Sequence, residues 1–157
     1  NKWTPEEIEF GRKMAESFAP GQKEAALRAM KVPKETWGQV LHESIVPWTD
    51  EETSTPGSTD VADVSWNAPT GRLSIATGVL GQPGHSWQIS ACSGMSIGHK
   101  GMLMGGKVLA TAALKLLDDP QLLAQAQDEF KERTEGNPYK SPLPEGLEPP
   151  LNQLPKH

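Results

Sequence analysis

The sequence predicts an α/β protein that is rich in helix and has few strands. Three observations carry this. Helix-start signals recur at Thr4-Pro5, Pro33 and Asp119-Pro120. Two short stretches of strand character, 69–79 and 86–92, flank a Gly-Gln-Pro-Gly turn. A long run from His99 to Leu117 mixes Gly and Ala with Leu, as a helix lying close against a sheet would. At 157 residues the chain is long enough for one domain with its own core. Only 36% of it is hydrophobic, and it holds 14 prolines and 15 glycines, so much of it is expected to be loop or to pack on something outside the chain.

Thr4 is the expected N-cap of the first helix, with Pro5 at its first position and Glu7 closing a capping box. Ile8, Gly11, Ala15 and Phe18 form one face, flanked by Phe10 and Met14, and Pro20-Gly21 ends the helix. Gln22 to Met30 predicts a second helix and Lys34 to Leu41 a third, short one. Ile45-Val46 is a candidate short strand. Residues 49–59 are a polar loop, followed by Asp60-Val-Ala-Asp-Val-Ser-Trp66. Strands are expected over Pro69 to Val79 and Ser86 to Cys92. After the His99–Leu117 helix, Asp118-Asp119-Pro120 stops one helix and starts the next, Gln121 to Arg133, with Leu122, Leu123, Ala126 and Phe130 facing inward and Gly136 as its cap. Two parts result: 1–136, and a Pro-rich extended or disordered tail, 137–157.

Net charge is −5 with a pI near 5.4, and no basic cluster exceeds a few residues, which speaks against nucleic acid and anionic membranes as partners. The single cysteine, Cys92, excludes an internal disulfide and a Cys-rich zinc site and suits a reducing cytoplasm. No apolar run is long enough to span a bilayer. The first residue is Asn1, with no hydrophobic leader after it, so a processed or truncated start is expected.

Chemistry concentrates around two histidines. His85 follows the Pro-Gly turn in Gly81-Gln-Pro-Gly-His-Ser-Trp87, where an imidazole at a sheet edge could bind zinc through one nitrogen. It could equally be a loop histidine bonded to backbone. His99, in Ser96-Ile-Gly-His-Lys-Gly-Met102, sits at a helix N-terminus, where with Gly98, Lys100 and Gly101 it could hold a carboxylate or simply begin the helix. Asp60 and Asp63 would share a face of a helical turn and could serve acid–base or metal chemistry, or capping. Trp37, Trp48, Trp66 and Trp87 lie in or near loops, suited to a flat substrate or to ordinary packing. Gly94-Met-Ser-Ile-Gly98 has the form of a nucleophile elbow. The only histidines after Ser96 are His99, one turn on, and His157 at the end of the tail, and neither is a natural triad base. A hydrolytic metal site needs three or four protein ligands and a base, which this chain does not visibly supply. It therefore reads as one piece of an enzyme.

Four segments in order, Gly57-Ser-Thr-Asp-Val-Ala-Asp-Val-Ser65, Pro69-Thr70, Gly81-Gln-Pro-Gly-His-Ser-Trp-Gln88 and Ser96-Ile-Gly-His-Lys-Gly-Met102, resemble the C-terminal part of the metal-dependent aminoacylase/carboxypeptidase amidohydrolases, metallopeptidase family twenty. The resemblance runs from about Trp3 to Pro144. It implies the C-terminal segment of a zinc-exopeptidase-like catalytic domain, an α/β sandwich around a mixed sheet, in a two-metal, zinc-type enzyme interrupted by a dimerisation domain. On this likeness His85 is a terminal metal ligand, Asp60 has a supporting role near the active site and Asp63 a lesser one. Ala62 stands where a glycine is expected. The family's other ligands and its Glu-Glu pair lie upstream of the inserted domain and have no counterpart here. The implied partners are an amide or peptide substrate, the missing N-terminal half and, for a homodimeric parent, a second copy; the isolated segment is expected to be inactive. The rival readings are a non-catalytic segment that self-associates and a serine hydrolase built on Ser96.

Overall fold

The structure is a computed structural model that describes residues 2–47 and 59–149. Most of the polar loop expected at 49–59, Trp48, and the tail from Pro150 to His157 lie outside the described residues. The chain divides into two compact units. The first comprises 1–52 and 72–115, the second 53–71 and 116–157.

In the first unit, α1 spans Pro5–Ala15. Its start follows the capping box: Thr4 Oγ1 accepts from the Glu7 amide at 3.3 Å, and the Thr4 amide donates to Glu7 Oε2 at 2.7 Å. Next, α2 spans Gln22–Ala29 and buries Leu27 completely. The expected third helix shrinks to one 3-10 turn, Lys34–Thr36, closed by Trp37 Nε1 donating to the Val32 carbonyl at 2.9 Å. Ile45 and Val46 are exposed and in no strand.

The expected strand at 86–92 is a helix. Ser86 is its N-cap, accepting from the Ile89 amide at 3.4 Å, and α4 runs Trp87–Ser93. Gln88 and Cys92, four apart, are both buried, so the burial period is that of a helix. The strand expected over Pro69 to Val79 does not form either: the segment is irregular, although Leu73, Ser74 and Ile75 alternate as half-buried, exposed and half-buried. Among the described residues it has no strand partner. The core joins Met14, Leu41, Val79, Cys92 and Ile97, with Trp3, Phe10, Phe18 and Val40 packed around them.

The long helix α5 spans Ser96–Asp118. Its glycines are contact points. A Cβ on Gly98 would lie 2.6 Å from the Ser93 carbonyl oxygen at the end of α4. One on Gly101 would lie 2.6 Å from the Ala76 carbonyl oxygen. Only glycine lets both backbones approach that closely.

In the second unit, α3 is a short turn, Val61–Ser65, whose first amide is capped by Thr59 Oγ1 at 3.3 Å. The fresh helix start expected at Asp119-Pro120 is present: Asp119 Oδ1 accepts from Gln121 and Leu122 at 3.0 and 3.1 Å, and α6 runs Pro120–Thr134. Ala126 and Phe130 are half-buried, but Leu122 and Leu123 are exposed rather than inward. Beyond Gly136, the described part of the Pro-rich segment is tied to α3 through Tyr139.

Candidate functional site

His85 occupies the tip of the turn that the glycines and Pro83 build. Its φ is +49°, a left-handed backbone uncommon for a side chain with a Cβ, though histidine tolerates it better than most. The ring is exposed. The turn is held by the next residue: Ser86 donates its hydroxyl proton to the Pro83 carbonyl at 2.7 Å while capping α4. His85 is thus set before a helix, not at a sheet edge. Trp87 beside it is also exposed.

His99 lies in the first turn of α5 with an exposed ring. The carboxylate-holding group expected around it is otherwise engaged. Gly98 and Gly101 are buried in packing contacts. Lys100 already holds a carboxylate of this chain, donating to Glu7 Oε2 at 2.6 Å and also to the Lys2 carbonyl at 3.0 Å. It lies 5.7 Å over the Trp3 ring. Ser96, the serine of the elbow-like motif, donates to Glu7 Oε1 at 2.5 Å. Its proton is committed to a carboxylate already paired with a lysine, so nothing here activates it as a nucleophile.

Glu7 is therefore the most densely bonded acid among the described residues of the first unit. Its side chain is 6% exposed. Burial pushes its carboxyl up, but hydrogen bonds from Lys100, Ser96 and the Thr4 amide outweigh this and hold it below the ordinary glutamate value. Its role is a clamp: it joins the start of α1 to the start of α5, the helix that carries His99.

In the second unit, Asp63 accepts the Tyr139 hydroxyl at 2.7 Å, and that hydrogen bond raises the phenol above its usual value. Asp60 precedes α3, is exposed and makes no side-chain cap. Among the described residues no group of three or more His, Cys, Asp or Glu is placed to hold a metal. His85 fits a metal as a single donor, with both ring nitrogens free of a bonding partner among the described residues; this chain does not complete a coordination sphere there. Trp37 and Trp66 serve packing and helix ends: Arg28 stacks 5.4 Å above the Trp37 ring, and Trp66 closes α3.

Local sequence reasoning gives Glu7 only its cap and misses its partners 89 and 93 residues away. It misses Tyr139 too, because that residue stands in a proline-rich stretch with no local signal.

Compared with known proteins, the chain is 28% identical over 157 aligned residues to a subunit of p-aminobenzoyl-glutamate hydrolase from Escherichia coli (strain K12). The alignment covers 94% of this chain and 33% of the relative, so the chain spans about a third of the length of the curated protein it matches. The resemblance read from the four motifs thus extends over nearly the whole sequence. No family model matches, and no solved structure matches. Among the described residues no helix is long and apolar enough to cross a membrane.

Proposed function

We propose that this chain is a segment of the catalytic body of an amidohydrolase, one that cleaves the amide bond to an amino acid in an N-acyl or aminobenzoyl amino acid or a small peptide. The observation that carries the reading is the match to one polypeptide of a hydrolase over 94% of the chain. The exposed imidazole of His85, on a turn held by Ser86, supports its assignment as a ligand to one of two divalent metals, zinc by preference for nitrogen donors. When bound, such metals polarise the amide carbonyl and make water a nucleophile at neutral pH.

What this chain's own residues contribute is placement. Ser86 sets the turn that presents His85. The Glu7–Ser96–Lys100 cluster anchors α5 and hence His99 beside it. Asp60 takes a supporting position at the start of α3. The remaining donors and the general base belong to polypeptide outside this sequence. On the same reading the catalytic body is an α/β sandwich, and 72–79 becomes a strand of its mixed sheet once neighbouring strands supply hydrogen-bond partners. A lone, buried thiol suits a cytoplasmic setting.

The test is His85→Ala in the complete polypeptide that carries this chain. Losing one ligand of a metal site is expected to cut metal occupancy and amide hydrolysis together by at least about tenfold. Unchanged metal content with unchanged turnover of an aminobenzoyl amino acid removes the assignment.

A further inference from the structure

Helix α5 has three sides. On the inner side Gly101 and Gly105 lie against 75–77. A second side carries Lys100, Lys107 and Lys115 in one stripe. The third side is apolar and uncovered. Met102, Leu103, Leu109 and Leu114 are 65%, 61%, 58% and 60% exposed. With Gly106 and Ala113, which are also exposed, they fall on one arc of the helix; the arc holds no Lys, Arg, Asp or Glu, and the exposed His99 sits at its N-terminal end, one turn before Met102 and Leu103. A contiguous apolar face of this kind is rare on a free surface and marks a place where protein is meant to pack.

The face has a readable shape. Met102, Gly106, Leu109 and Ala113 follow one another at spacings of four, three and four, so large side chains alternate with small ones. Small positions admit another backbone closely, as in packing against a helix or sheet layer, and the absence of charge calls for an apolar partner. On the lysine stripe, by contrast, Lys100 is spent on Glu7, and the exposed Lys107 and Lys115 are suited to water.

We infer that this face of α5 is the seat of the polypeptide that completes the hydrolase. The occupant is argued from size: a protein as long as the relative has about twice as much chain again to place against this one. The inference rests on the function proposed above, and its test reads packing rather than turnover, so the two can fail separately.

The test is thiol reactivity in the complete polypeptide carrying this chain. The native thiol, Cys92, is fully buried and serves as an internal blank. Leu109→Cys and Met102→Cys place a thiol on the apolar face, and Lys107→Cys places one on the lysine stripe. Both face variants are expected to react at least about 100-fold more slowly than Lys107→Cys, at every protein concentration. Two face positions keep the test alive if one variant does not fold. Equal reactivity on face and stripe overturns the inference. So does protection that vanishes on dilution, which makes the occupant a second copy, and so does a reading frame that encodes nothing beyond this chain. Protection without amide hydrolysis sustains the packing and sinks only the proposed activity.

Discussion

Glu7 shows how much one side chain can carry. It is the third residue of α1, closes the cap on Thr4, and accepts from Ser96 and Lys100 across the unit. Because its folded carboxyl is held below the ordinary glutamate value, the ionised form is the one that stabilises the fold. The stability it contributes is complete above the ordinary glutamate range and is lost as pH falls through the depressed value. Urea unfolding of the wild type and Glu7→Gln should therefore differ most at neutral pH, and the gap should narrow in acid; a gap independent of pH contradicts the clamp. Tyr139 offers a direct reading, since it is the one tyrosine in the chain. Its phenolate absorbance is expected to appear at higher pH than for a free tyrosine, and Asp63→Asn should bring it back down.

Helix packing decides what the glycines of Ser96-Ile-Gly-His-Lys-Gly do. Gly98→Ala would gain up to about 1 kcal/mol of helix propensity. Its Cβ would meet the Ser93 backbone at 2.6 Å, and forcing such a contact costs about 1–3 kcal/mol. The clash wins, because backbone oxygen cannot swing aside, so a net loss of stability is expected in denaturant titration. Ile97, fully buried between these contacts, should cost about 2–5 kcal/mol on replacement by Ala. Thiol labelling of Cys92 in its neighbourhood should then speed up, since the reagent reaches that buried sulfur only when the core opens. α4 teaches the complementary lesson. Ser86 before Trp87-Gln-Ile-Ser-Ala-Cys is a legible N-cap, yet the alternating polar and apolar residues around it read as a strand. The buried pair Gln88 and Cys92 settles the period.

For the whole molecule, the exposed face of α5 and the segment 72–79, which has no strand partner among the described residues, are both accounted for by the proposal that they meet neighbouring polypeptide. The low apolar fraction, 36%, points the same way. The chain matches a third of a longer hydrolase polypeptide, and under the proposed function the rest of such a polypeptide would cover those surfaces. The sequence by itself determined the helix starts at Thr4 and Asp119, the long helix, the turn before His85 and the likeness to an amidohydrolase, because caps, turns and periodicity are local and written in neighbouring residues. Tertiary structure alone decided that Lys100 and Ser96 serve Glu7, that Asp63 serves Tyr139, and that 86–92 coils. Those outcomes depend on residues brought together from distant parts of the chain, and no local pattern records which partner will arrive.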